Sequence, residues 1–436
     1  MKNYYEYRKT GLDWLPIIPS HWEWRYLSQT ADEQLIKNDN EDRPILSLSY
    51  GNIIQKKNVS SGLIPSNYDG YQVVFPGNII LRLTDLQNDH TSLRTGLVKQ
   101  EGIITSAYTC LKPTENADFL QYLLHAYDIR KVFYGMGGGV RQSITYKDIR
   151  NIRCPLPPME EQKIIVNYLN WKCSEINELI AAKKKQVESL FELIQLSLYS
   201  DDASVSEIKF FDEAFPADWR KIKAKYLFHE RNEKGFTDKE LLAVTQDRGV
   251  LYKKDCSQNY VLPNDLSKQK LVCDGDYVIS LRSFQGGIEH SKISGLVSAA
   301  YSVFSINDEY NEYEEFFELL FKTEPFIVYL NSLVKDIRDG KKIGFNDFKR
   351  CVLSLPPKKL INKLHNMKKE YDALVDELGE TKITLNELKA RIIYSAVTGE
   401  IDVRDIEVPE YEYVEEIGDS SDEDEETEDE SVDEEV

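Results

Sequence analysis

The chain has 436 residues, 41% hydrophobic and 29% charged, which is enough for two domains with a core in each. No run of about 18 apolar residues exists, and residues 1–8 lack the apolar stretch of a secretory signal, so a cytoplasmic protein with no membrane partner is expected. The net charge of −20 is localised: residues 405–436 hold 18 acids and no Lys or Arg, leaving 56 of the 74 acids against 54 bases in residues 1–404.

In chain order, residues 1–157 read as a first α+β domain. Tyr71-Gln-Val-Val-Phe75, Ile79-Ile-Leu-Arg-Leu83 and Gly102-Ile-Ile-Thr-Ser-Ala-Tyr108 are short, β-branched or aromatic, and bounded by Gly, Pro and Asn, as strands are. One amphipathic helix, Phe119-Leu-Gln-Tyr-Leu-Leu-His-Ala-Tyr127, interrupts them. Leu156-Pro-Pro158 then ends a strand, and Pro158 with Glu160 and Glu161 starts a helix over 158–200, the two acids complementing its dipole. Residues 201–357 form a second domain with strands near 241–245, 277–281 and 300–304 and a helix from Tyr313 to Leu333. A second long helix spans 358–402. Residues 403–436 read as an acidic disordered tail, because such a segment repels itself and has little to bury.

The two domains are copies. Trp22 in Pro19-Ser-His-Trp22 is matched by Trp219 in Pro216-Ala-Asp-Trp219, Gly77-Asn-Ile-Ile-Leu by Gly275-Asp-Tyr-Val-Ile, and Gly96-Leu-Val by Gly295-Leu-Val. Tyr146-Lys-Asp148 and Leu156-Pro-Pro158 are matched by Phe345-Asn-Asp347 and Leu355-Pro-Pro357, so the five spacings are 197, 198, 199, 199 and 199 residues. A register held over that distance marks a duplication.

Both long helices carry a heptad seam. In the second it runs Leu364, Met367, Tyr371, Leu374, Leu378, Leu385, Leu388 and Ile392, with Thr381 as its polar position. In the first it runs Val166, Leu169, Cys173, Ile176, Ile180, Val187, Leu190 and Ile194, with Lys183 as the charged position. So narrow a stripe wants a partner helix, and antiparallel pairing of the two copies would direct two equivalent faces the same way, as a duplex ligand requires.

The string Leu156-Pro-Pro-Met-Glu-Glu-Gln162, followed by Ile164-Ile165 and Tyr168-Leu169, resembles the junction between recognition domain and spacer helix in specificity subunits of type I restriction-modification systems. Trp14-Leu-Pro with Ile18-Pro-Ser-His-Trp22 resembles that family's opening. Ser143-Ile-Thr-Tyr-Lys-Asp-Ile149 resembles its strand-and-turn before the prolines, and Ser395-Ala-Val-Thr-Gly-Glu-Ile401 the end of its last helix. The second junction, Leu355-Pro-Pro-Lys-Lys-Leu, departs from the pattern in lacking Glu-Glu-Gln.

The resemblance implies two target-recognition domains, each reading half of a bipartite double-stranded DNA site, separated by paired helices that dock two modification subunits. It implies no catalysis and no cofactor in this chain. Methyl transfer with S-adenosylmethionine would belong to the modification subunits, and ATP- and Mg-dependent translocation and cleavage to restriction subunits.

Base reading needs Arg or Lys for guanine and Asn or Gln for adenine. Candidates in the first domain are Arg82, Gln87, Asn88, Arg94, Lys99 and, in the stretch Gly135-Met-Gly-Gly-Gly-Val-Arg-Gln142, Arg141 and Gln142. In the second they are Arg248, Lys253, Lys254, Arg282, Gln285, Lys292, Lys341 and Lys342. Catalytic and metal motifs are not found: there is no Asn-Pro-Pro-Tyr loop, GxGxxG, Walker sequence, CxxC or His pair at ligand spacing. Two alternatives are a DNA-modifying or DNA-cutting enzyme with a degenerate site and a plain coiled-coil scaffold; the scaffold leaves the duplicated strand-rich domains unexplained.

Overall fold

The computed structural model describes residues 2–39, 42–49, 51–56, 68, 70–84, 93–136, 144–199, 215–216, 218–246, 249–256, 263, 265–280, 283–333 and 343–415. They fold as α+β in two compact units, residues 1–182 with 380–436, and residues 183–379. The spacer helices are thus not bodies separate from the domains. Each unit contains one half of each.

In the first unit a four-stranded antiparallel sheet has the spatial order Ala31–Gln34, Thr109–Pro113, Ile79–Leu81, Thr95–Leu97. Tyr71–Val74 pairs with Gly102–Thr105, and Leu46–Ser49 forms a hairpin with Asn52–Gln55. Glu23–Tyr26 pairs with Arg153–Leu156, which returns the chain to the helix junction. The helix Ala117–Ile129, capped by the Asn116 side chain at the Phe119 amide, packs Phe119, Leu120, Leu123 and Leu124 into the core.

The second unit repeats this order. Phe228–Arg231, Ser302–Ile306, Tyr277–Ile279 and Glu289–His290 form the sheet, and Lys270–Val272 pairs with Gly295–Val297. Equivalent core positions follow: Leu46, Val74, Ile80, Ile104 and Cys110 in one unit are Leu242, Val272, Val278, Val297 and Val303 in the other.

The sheet register corrects one match of the repeat. Ile79 faces Leu97 where Tyr277 faces His290, which makes the local spacing 193 and pairs Gly96 with Glu289. Gly295 corresponds instead to Gly102. A Cβ at either would lie 2.6 Å from a carbonyl, that of Pro44 or of Glu240, and 2.7 Å from a leucine, so both sites demand glycine for the same contact. The shift from 198 to 193 falls between the strands at 79–81 and 95–97, where the first domain is longer. The return to 199 falls between the strand ending at Pro113 and residue 146, where the second is longer.

Three local expectations change. The helix read from Tyr313 to Leu333 is a 3-10 turn, Asp308–Tyr313, then Glu314–Leu320 and Glu324–Ser332, broken where Pro325 starts a new helix after Thr323. Within the strand-and-turn read at 143–149, Tyr146–Ile149 is a helical turn, closed by Asp148 accepting from the amide (2.7 Å) and hydroxyl (2.8 Å) of Thr145. The tail begins later than residue 403. Val403 is fully buried, Ile406 and Val408 pack on the first core, and residues 403–415 are described; 416–436 lie outside the described residues.

The long helices are Met159–Leu198 and Lys358–Val397. They run antiparallel inside each unit. In the first, Lys389 donates to Asn177 at 3.2 Å. In the second, Lys183 pairs with Glu377, Phe191 stacks near Tyr371 at 5.4 Å, and Lys363 donates to Ser197, so partners fall along one helix as they rise along the other. The seam holds at Val166, Leu169, Cys173, Ile176, Ile194 and Leu364, which are buried, and at Ile180, Val187, Leu190, Met367, Tyr371, Leu374, Leu378, Leu385 and Ile392, which are half-buried. Leu388 is the exception. It is 47% exposed, and Lys389 turns inward to Asn177 in its place, a polar pair that decides the register there.

Candidate nucleic-acid interface

The junction after Pro158 has more to do than start a helix. Glu161, 6% exposed, accepts from the Tyr4 hydroxyl at 2.7 Å, Trp22 Nε1 at 3.0 Å and His21 Nε2 at 2.9 Å. One carboxylate therefore ties the N-terminal segment and the Pro-Ser-His-Trp turn to the spacer helix. Gln162 donates to the Pro157 carbonyl and the Glu115 carboxylate. At the equivalent place in the second unit stands Leu360, and Trp219 there stacks on Phe215 at 5.4 Å, itself 5.3 Å from Tyr199. Aromatic packing replaces the carboxylate, which explains why the second junction lacks Glu-Glu-Gln.

Of the base-reading candidates, Gln87, Asn88, Arg141, Gln142, Arg248, Arg282, Lys341 and Lys342 lie outside the described residues. Arg94 is corrected: it is 0% exposed and presents nothing to a groove. Its Nη1 donates to the carbonyls of Thr84 at 2.6 Å and Arg82 at 3.3 Å, and its Nε to the Tyr134 hydroxyl at 3.0 Å. The Asp128 carboxylate accepts from its amide at 2.6 Å. Burying a guanidinium is tolerable only when its donors are met, and here backbone carbonyls meet them.

Arg94 thereby ties Arg82 and Thr84 to the start of the strand Thr95–Leu97. The Ile144 amide donates to the Leu83 carbonyl at 3.0 Å. The described residues Leu83, Thr84, Arg94 and Ile144 therefore meet at one sheet end. In the second domain Gln246, which follows the strand Leu242–Thr245, lies against Gly286, and its side-chain amide donates to the exposed Gln285.

Lys99 and Lys292 occupy one place in the two domains. The Gly77 amide donates to the Val98 carbonyl as that of Gly275 does to Ser291, and each lysine follows directly. Lys292 reaches Asp372 of the second long helix at 3.1 Å. Lys99 instead meets Glu415 at 2.5 Å. Lys254 is exposed and pairs with Glu240, Lys253 is half-buried beside it, and Arg82 is half-buried. Lys368, 5% exposed, is held by Asp372 at 2.8 Å and Glu318 at 3.0 Å. The two carboxylates make its burial tolerable.

Residues 38–189 match the family model described as type I restriction modification DNA specificity domain, which spans most of the first domain and most of the first long helix. A curated protein described as the specificity subunit of a type I restriction enzyme, MjaX, from Methanocaldococcus jannaschii is 25% identical over 315 residues, 67% of this chain and 71% of that protein. The chain is thus similar to type I restriction-modification specificity subunits over its first domain and beyond. Similar solved structures include a chain from work on assembly and conformational transition of the type I R-M system, 15% identical with a TM-score of 0.49, covering 88% of this chain and 99% of that one. The HsdS subunit from Thermoanaerobacter tengcongensis is 15% identical with a TM-score of 0.35, covering 88% and 98%. No helix among the described residues is long and apolar enough to cross a membrane.

Proposed function

We propose that this chain is a type I restriction-modification specificity subunit that reads a bipartite double-stranded DNA site, one half per domain, and docks two modification subunits through its helices without catalysing a reaction itself. The observation that carries this reading is where the copies differ. Core positions and strand register repeat, whereas the length changes fall in 82–94 against 280–288 and in 114–145 against 307–344. These are the segments that hold Arg82, Gln87, Asn88, Arg141 and Gln142 in one domain and Arg282, Gln285, Lys341 and Lys342 in the other. A constant scaffold with variable loops is how one fold comes to read two sequences.

Exposed Leu179, Leu193, Leu196 and Ile383 on the long helices supply apolar surface for the modification subunits, and exposed Leu388 joins them. S-adenosylmethionine, ATP and Mg would be bound by the partner subunits. Replacing residues 215–355 with those of a related subunit should change one half-site and leave the other intact, since separate surfaces contribute additively. Mapping methylated sites in cells carrying the chimera tests this; a changed base in both halves overturns independent reading.

A further inference from the structure

Counted from the second proline of each junction, Asp372 of the second long helix stands where Cys173 stands on the first, and Lys368 where Leu169 does. The difference falls on the contact between each domain and its own helix. In the second unit that contact is ionic. Lys368 lies 3.0 Å from Glu318 of the helix Glu314–Leu320 and 2.8 Å from Asp372, and Asp372 reaches Lys292 of the domain at 3.1 Å. His290, beside that lysine, lies 2.9 Å from Glu314.

In the first unit Leu169 and Cys173 offer Lys99 no carboxylate. Residues 406–415 make the bridge instead. The Ser174 hydroxyl donates to the Glu412 carbonyl at 2.9 Å and accepts from the Val414 amide at 2.8 Å. The Asn177 side chain donates to the Val414 carbonyl at 2.8 Å, while its oxygen accepts from Lys389. Both side chains are buried. On the domain side Lys99 meets Glu415 and lies 5.6 Å from the centre of the Tyr413 ring, and Ile406 and Val408 pack on the first core.

We infer that residues 406–415 are a positioning strap, which holds the first recognition domain to its helix as the salt-bridge network of Lys292, Glu318, Lys368 and Asp372 holds the second. The pair of Lys99 and Glu415 is exposed and contributes little by itself. The grip comes from three hydrogen bonds to buried side chains and from the apolar anchors at 406 and 408. A domain that rocked on its helix would spread its base-reading groups over many positions, and a site loosened by about 1 Å loses its selectivity. The two halves are therefore held by different means and can be loosened one at a time. The inference rests on the DNA-reading function proposed above.

The test assembles the chain with its modification subunits in cells and compares methylation at the cognate site with sites altered by one base in either half. A chain ending at Asp405 lacks the strap, and one ending at Glu415 keeps it. The first should lose about tenfold in discrimination at the first half-site, the worth of about one base contact, with the second half-site unchanged. The chain ending at Glu415 should match wild type. Val414→Pro, which removes one amide and leaves the apolar anchors, should lose about threefold at the same half-site, and this variant decides if the shorter chain does not fold. Glu318→Gln with Lys368→Met should do the reverse, loosening the second half-site alone. Less methylation with discrimination kept in both halves, or equal loss in both, overturns the positioning role. Acylation of Lys99 in the purified chain judges the strap without DNA: it should run about threefold faster in the chain ending at Asp405 than in the one ending at Glu415. Equal rates overturn the strap itself, whereas absence of site-specific methylation even in wild type overturns the recognition function.

Discussion

The guanidinium of Arg94 donates to the carbonyl of Thr84 at 2.6 Å, so a residue with no exposed surface joins the two described residues that flank the candidates Gln87 and Asn88. Arg94→Met would strip donors from the carbonyls of Arg82 and Thr84 and from Tyr134, at a cost of about 2–4 kcal/mol. Arg94→Lys should fall between, because a point-like ammonium cannot serve three acceptors set in a fork. Thermal melts give the stabilities. Methylation mapping should show the first half-site blurred and the second unchanged, whereas loss of overall affinity with specificity retained would mean Arg94 contacts phosphate after all.

Glu161→Leu should orphan the donors of Tyr4, His21 and Trp22 and destabilise the first unit by about 2–4 kcal/mol. Residues 1–7 should become susceptible to limited proteolysis before the rest unfolds. Leu360→Ala, at the equivalent position of the other unit, removes only apolar packing and should leave that segment protected.

Burial pushes the thiols of Cys110, Cys154 and Cys351 up to about 12. Unfolded thiols ionise near 8.5–9, so between that value and 12 the folded state binds more protons and stability falls as pH rises. The loss at pH 10 should be about 1.5–2 kcal/mol per thiol, and nearly all of it is absent below pH 8. Melting temperature against pH measures the slope. Alkylation at pH 8 should spare these three and modify half-buried Cys256 first.

Inserting one heptad after Met159 and a matching one after Lys358, each within the first turns of its helix, keeps the seam in phase while adding about 10 Å to each helix. If helix length sets the gap between half-sites, the recognised gap should grow by about 3 base pairs. An unchanged gap in an assembled, active complex would remove the ruler idea.

The duplication, the two long helices and their junctions were legible in the sequence, because each rests on a local signal: period two, the heptad, or Pro-Pro after a strand. Even so, Gly96 was matched to Gly295 since Gly-Leu-Val repeats there by chance, and only the pairing of Ile79 with Leu97 and Tyr277 with His290 exposed the slip. The charge around Tyr411 and Tyr413 hid the packing of residues 403–415, where Ser174 and Asn177 hold the backbone at Glu412 and Val414.

What the sequence determined by itself is the architecture of two copied α+β domains and a paired-helix seam, since periodicity sets which face of an element is apolar. What tertiary structure alone decided is which polar groups are inside. Arg94 and Arg82 look alike in the chain, and Glu161 resembles any first-turn acid. Their burial depends on carbonyls, hydroxyls and ring N–H groups brought together from distant segments, and such satisfaction of donors by acceptors leaves no local pattern to read.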